Sequence, residues 1–486
     1  MLGRTRRIAA ASSPAVKTVV GTIVIAAALG FPAAPVRAQD SGKPTVEERL
    51  EKLERELAEQ RAKNEALERE MEIMRRREFE RGEGAGATSA DADRAGLEAD
   101  VDSFVAKAAA AEERLGTKSG LYGKPFLERE RSVYLGGYID LEYFDTQGEN
   151  RRFTQHRFVP FIYADVTDQV KVAAEIEFEV GGSDAEAGDG ETKVEFATLD
   201  YVFDEAFAFR AGALLVPLGK FNLIHDSPVN DLTDRPLVDQ FVIPTTLTEA
   251  GLGFFGSTYP FGEAKLDYEA YVVNGFRGLV DDAGSPTGST SLINDEDGLR
   301  DARASLDEDN NNSVAGVGRV AFSPTLGTEI GLSAHAGKYD DAGDNWMVIY
   351  AIDAIVQPAR FTSALQGFEL QGEFARAEIE RDDLAEASGV PDDMWGIYGQ
   401  VNYHFMFDFL RESLPAVFKE ESTFTLVTRV DHVELDDTRS ERVTLGLNFR
   451  PIEDTVFKFD YQFNFEDWDR DEVHNDAFVF SVASYF

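Results

Sequence analysis

Thr455-Val456-Phe457-Lys458-Phe459-Asp460-Tyr461-Gln462-Phe463-Asn464-Phe465 decides how this chain folds. From Phe457 to Phe465 every second residue is aromatic, and Lys458, Asp460, Gln462 and Asn464 fill the gaps. A period of two places the two sets on opposite faces of a strand. The pattern returns at Val170, Val172, Ala174, Ile176, Phe178 and Val180, set against Lys171, Glu175, Glu177 and Glu179. It returns again at Val443, Leu445, Leu447 and Phe449, set against Arg442, Thr444, Asn448 and Arg450. A soluble sandwich would press the apolar face on a second sheet. A transmembrane barrel turns it to lipid and lines a wet lumen with the polar face.

The number and spacing of such segments separate the two. Sixteen strands start near 133, 154, 170, 191, 207, 251, 264, 314, 328, 345, 365, 394, 422, 441, 455 and 475. Their connections alternate in length. Short ones such as 167–169, 204–206, 325–327 and 451–454 face long acidic ones at 181–190, 218–250, 276–313, 381–393 and 466–474. Short turns at one end and long loops at the other are the pattern of an outer-membrane barrel. The 406–421 connection is the exception, being long for the short-turn end. The expected fold is therefore an all-β transmembrane barrel of about sixteen antiparallel strands over 132–486, with an N-terminal coiled coil. Phe486 falls on the apolar period of Phe478, Phe480, Val482 and Ser484. A terminal Phe on a lipid-facing period resembles the assembly signal of bacterial outer-membrane barrels.

The segment before the barrel reads as an address and a helix. Arg4, Arg6 and Arg7 precede an apolar run from Val19 to Gly30 and small residues ending at Ala38, the three parts of a secretory signal over 1–38. The run is shorter than the ~20 residues a spanning helix needs. Over 39–81, Val46, Leu50, Leu53, Leu57, Leu67, Met71 and Met74 keep a 3.5-residue repeat, with Gln60 and Asn64 in the seam. So narrow an apolar stripe calls for a partner helix, hence a coiled coil. Residues 82–131 read as a linker carrying a short second helix. A coiled coil on the short-turn side would lie in the periplasm.

Composition closes off other functions. Among 486 residues, 48 Lys+Arg stand against 89 Asp+Glu, a formal charge of −41, and there is no cysteine. Such a field repels a phosphate backbone, so nucleic acid is not an expected partner. Thiolate metal sites and Cys nucleophiles are absent. No cofactor and no metal site are expected: Asp307, Asp309 and Asn311 imitate a calcium loop, but Asn312 stands where Gly belongs and Gly318 where Glu belongs. His335 and Ser333 share a strand face at about 6–7 Å, beyond hydrogen-bond reach, so no enzyme is expected.

One stretch carries a family likeness. Phe209–Arg210–Ala211–Gly212–Ala213–Leu214–Leu215–Val216–Pro217–Leu218–Gly219–Lys220 ends a strand in Pro-x-Gly and enters a long loop containing Asp234–Arg235–Pro236. With the leader, the helix and the sixteen strands, this resembles the phosphate-selective porin (porin O and P) family. The resemblance implies an outer-membrane trimer, held by coiled coil and barrel, whose third loop (217–250) folds inward and narrows a water-filled pore for small hydrophilic solutes, anions or cations. Pore candidates on the strands are Arg210, Asp267, Glu269, Arg429, Asp431, Arg442, Lys458 and Asp460. Those on the loop are Lys220, His225, Asp226, Asp231, Asp234, Arg235 and Asp239. Members named for phosphate line their pores with Arg and Lys, whereas acids outnumber bases among these lumen positions. Cation preference is the expectation at the wide mouths, although a few charges in the narrowest zone outweigh many elsewhere. Arg429, Arg442, Arg450 and Lys458 form either a basic ladder or pairs with Asp431 and Asp460. The other reading of the whole chain is a structural protein whose coiled coil ties the outer membrane to the cell wall.

Overall fold

The computed structural model describes residues 132–180, 190–304, 306–307, 309–466 and 475–486. The expected leader, coiled coil and linker of 1–131 lie outside them. The strands are β1 (Ser132–Thr146), β2 (Arg152–Asp165), β3 (Val170–Glu179), β4 (Glu191–Asp204), β5 (Phe207–Leu215), β6 (Thr248–Thr258), β7 (Lys265–Val273), β8 (Leu279–Asp281), β9 (Ser289–Ser291), β10 (Ala315–Thr325), β11 (Thr328–Lys338), β12 (Trp346–Val356), β13 (Phe368–Ile379), β14 (Asp393–Phe405), β15 (Thr423–Leu435), β16 (Thr438–Ile452), β17 (Thr455–Glu466) and β18 (Ala477–Tyr485). β8 and β9 form a separate two-stranded sheet, with one further bridge from Leu279 to Asp340, and the remaining sixteen form one closed barrel of antiparallel neighbours. Their starts fall within three residues of those read from the alternation.

The barrel is inverted relative to a soluble protein. Phe459 and Phe465 are 43% and 42% exposed, whereas Lys458 and Asp460 are 0% and 1%. Apolar faces outside and paired backbone all round are what a bilayer requires. Gly327, at φ +79°, lets the chain reverse in two residues between β10 and β11. At the other end Asp436–Asp437 also turns in two residues, so one connection on the long-loop side is short. Residues 357–367 join 406–422 as longer links on the short-turn side.

The lumen is not polar throughout. Val273, Val317, Met347, Ile349, Ala375, Ala377, Met394 and Val433 point inward near the long-loop end and are buried. They join one apolar core with Leu218, Val238, Val242 and Ile243 of the third loop, Leu299 and Ala302 of the fourth and Tyr339 of the fifth. In β12, Met347 to Ile352 is apolar on both faces because one meets lipid and the other this plug.

β1 and β18 close the barrel, with Tyr138 opposite Tyr485 and Asp140 opposite Ala483. Phe486 N donates to Gly137 O at 2.9 Å. Its ring stacks on Phe158 at 6.0 Å. Gly137 makes room for it: a Cβ there would lie 2.5 Å from Val159 O and 2.6 Å from the Phe486 ring. Deleting Phe486 removes one hydrogen bond and one ring pair, together about 1–2 kcal/mol. The deletion is expected to lower the fraction of heat-modifiable, folded protein in outer-membrane preparations while leaving export unchanged. Unchanged folded protein would make Phe486 incidental.

Candidate pore site

The third loop, between Leu215 and Thr248, carries Lys220, His225, Asp226, Asp231, Asp234, Arg235 and Asp239 of the candidate residues and is held at its neck by Asn222. The buried Asn222 side chain donates to Val216 O at 2.8 Å and accepts from Leu247 N at 2.9 Å. From the neck the loop reaches inward-facing residues of many strands. Gly219 N donates to Ser333 Oγ at 2.9 Å, and Lys220 N to Glu373 Oε2 at 2.8 Å. Further on, Thr233 N donates to Asp460 at 2.6 Å and Leu237 N to Asp431 at 3.0 Å. Arg429 donates to Asp234 O and Arg235 O, Arg442 to Arg235 O, and Lys458 to Leu232 O. The loop backbone is irregular, so its amides and carbonyls need partners, and the wall supplies charged ones.

The candidates divide into three groups by geometry. Arg429, Asp431, Arg442, Lys458 and Asp460 are all buried beneath the loop. Arg429 Nε is 2.9 Å from Asp431 and Arg442 Nε is 3.8 Å from it, while Arg450 pairs with Asp231 of the loop at 3.1 Å. The suggested ladder is therefore split between wall pairs and loop contacts. Arg210, Asp267 and Glu269 stand apart on β5 and β7. Arg210 makes two 2.8 Å bonds to Asp200 and lies 3.9 Å from Glu269. Loop residues make up the third group: Lys220 pairs with Glu329 at 2.6 Å, Asp226 accepts from Tyr485 at 2.7 Å, and Asp234 from Gln462 at 2.5 Å. His335 faces Glu249 at 3.3 Å rather than Ser333.

Beyond the anchored wall, past β18 and β1, a cavity of about 170 Å³ remains, bounded by His156, Arg157 and Glu179 on β2 and β3 and by His225, Asp234 and Arg235 of the loop. Arg300 of the fourth loop completes its rim. That loop rests on the third, with Leu299 N donating to Phe241 O at 2.8 Å. Arg235 and Arg300 form no ion pair among the described residues. His156 and Glu195 escaped the alternation for one reason. A bulge on β2 sets Gln155 and His156 against a single residue of β1, and a bulge on β4 adds Glu195 beside Glu175. Each bulge turns a residue inward out of period, and nothing in the sequence marks the extra residue. Arg300 lies in a long loop, where periodicity says nothing.

The loop also buries Asp239 completely, and neither carboxylate oxygen has a hydrogen-bond partner. Burial pushes its carboxyl well above the usual range, and Glu373 beside it pushes in the same direction. A carboxyl raised in the folded state supports folding while protonated and loses that support as pH rises through its folded value. Asp239→Asn is therefore expected to raise resistance to denaturant at alkaline pH, on the order of 1 kcal/mol, with little change in mild acid. Equal effects at both pH values would contradict this.

The sequence profile of the family described as "Phosphate-selective porin O and P" matches residues 163–480. An uncharacterized protein of Aquifex aeolicus (strain VF5) is 26% identical over 374 residues, covering 74% of this chain and 80% of its own. Among solved structures, an anion-selective porin from Comamonas acidovorans is similar at 13% identity and TM-score 0.47, over 74% of this chain and all of that one. The outer membrane channel DcaP of Acinetobacter baumannii is similar at 9% identity and TM-score 0.47, over 74% of this chain and 98% of that one.

Proposed function

The chain belongs to the phosphate-selective porin O and P family, and from that premise we propose that it is a diffusion porin of the bacterial outer membrane whose third loop narrows a water-filled pore for small hydrophilic solutes or ions. The observation that carries the reading is the dense anchoring of the loop on β15 to β17, with fewer ties to β1, β11, β13 and β18. Its backbone is bonded to Asp431, Asp460, Arg429 and Arg442 on β15 to β17. Solute then passes along the other wall, by His156, Arg157 and Glu179. The long loops face outward, and the heptad pattern of 39–81 supports a periplasmic coiled coil that joins the barrels of a trimer.

Charge sign follows from which groups meet solute. The acids that dominate the count are largely spent: Asp431, Asp460, Asp353 and Glu177 are buried, each bonded to a base or a loop amide. Around the cavity Arg157 is tied to Glu177, Glu179 to His156 and Asp234 to Gln462, whereas Arg235 and Arg300 pair with no carboxylate among the described residues. A positive narrow zone selects anions even in an acidic protein, because screening over about 8 Å silences distant charge. This reverses the cation preference expected from the count alone.

Planar-bilayer recording tests both parts. Stepwise conductance is expected, with a zero-current potential of anion-selective sign in a KCl gradient. Arg300→Glu, at an exposed position, should shift that potential toward cation selectivity. Absence of conductance would favour a structural role. A cation-selective wild type, or a potential unmoved by Arg300→Glu, would remove the cavity as the selecting zone.

A further inference from the structure

We propose that Glu195 of β4 and His225 and Asp226 of the third loop form a site for a divalent first-row transition-metal ion, which adds a tie between the loop and β4. One donor atom from each residue lies within 4.8 Å of the others. Glu195 Oε2 stands 3.3 Å from His225 Nε2. With ligand distances of about 2.1 Å, two neighbouring ligands on one ion are ~3.0 Å apart in an octahedron and ~3.4 Å apart in a tetrahedron. The observed separation lies between these.

Hydrogen bonding turns Nε2 of the imidazole toward the acids. His225 Nδ1 is 3.0 Å from Asn222 O. A carbonyl only accepts, so Nδ1 carries a hydrogen, and an ion bound at Nε2 would displace any proton shared there with Glu195. A backbone carbonyl on Nδ1 is how metal-bound imidazoles are commonly oriented. Nε2 also has Thr246 Oγ1 at 3.0 Å, a hydroxyl that can rotate. His156, another inward-facing histidine, differs in having a carboxylate at each ring nitrogen. His156 faces Glu142 through Nδ1 at 2.7 Å and Glu179 through Nε2 at 3.3 Å, so both nitrogens donate and that group is complete as an ion pair.

Unmet polar atoms point to a missing ligand at the first site alone. Glu195 Oε1, Glu175 Oε1 and Tyr138 OH are buried with no hydrogen-bond partner. Glu175 is only 4% exposed and is pressed against Glu195 by the β4 bulge. Arg157 of β2 is committed to Glu177 at 2.6 Å. Adjacent buried carboxylates without a cation are costly, and an ion would neutralise Glu195 and Asp226 and offer Glu175 a place as a further ligand. One imidazole with carboxylates suits Zn²⁺, Co²⁺ or Mn²⁺ better than Ca²⁺ or Mg²⁺, which prefer oxygen alone. His225 borders the cavity, which gives the ion a way in.

The site goes beyond conduction, and its test does not depend on current. Purified full-length protein is stripped with chelator, shown to be folded by heat-modifiable mobility, and titrated with Co²⁺ or Zn²⁺. Wild type is expected to retain one ion per chain after desalting, with Co²⁺ developing visible absorption. Glu195→Gln and Asp226→Asn should each weaken retention about tenfold or more, whereas His156→Asn should retain the ion. Folded wild type that retains no ion overturns the proposal, and this arm needs no variant to fold. Retention undiminished in both acid variants, or lost equally in His156→Asn, overturns it as well.

Discussion

The irregular backbone that the third loop presses against the barrel wall is screened from the water of the lumen, and the rest of this structure follows from that. Unpaired amides and carbonyls so screened cost several kcal/mol each. The third loop meets the requirement twice. Asn222 closes its neck with side-chain bonds to Val216 and Leu247. Beyond the neck, Asp431, Asp460, Arg429, Arg442 and Lys458 provide donors and acceptors from the wall. These residues are charged because a charged partner bonds a lone amide more strongly than a neutral one does.

Dense anchoring on one side has consequences for the other. The β14 to β17 wall spends its charges on the loop, so little of its polarity is left for solute. Space persists along β2 and β3, where His156, Arg157 and Glu179 border the cavity. At the long-loop end the same loop packs apolar residues on the inner faces of β12 to β15, joined by Leu299 and Tyr339. A formal charge of −41 and an arginine-rimmed cavity can then coexist, because inward-facing acids such as Asp353, Asp431 and Glu177 are neutralised in pairs.

The barrel was legible in the sequence because its signal is strict and repeated. Phe457 to Phe465 and Arg442 to Arg450 can be read residue by residue, and every strand start follows from the same period. Legibility failed where the period broke or did not apply. Glu195 and His156 face inward through bulges, which add a residue without any compositional mark. β12 alternates poorly because both its faces are apolar. The candidate site was half legible. Inward charges such as Arg429 and Asp460 were identifiable by period, but whether each meets solute or loop depends on where the third loop lies, and no local pattern encodes that.

The central claim is that the third loop covers the β14 to β17 wall and leaves a passage along β2 and β3. A natural chain without cysteine makes single introduced thiols clean reporters. Gln240 borders the cavity. Asn448, fully buried, bonds Asp231 of the loop. A charged, thiol-reactive methanethiosulfonate added during bilayer recording should reduce the current through Gln240→Cys and leave Asn448→Cys unchanged. Block at Asn448→Cys with none at Gln240→Cys would place the passage on the opposite wall and contradict the account.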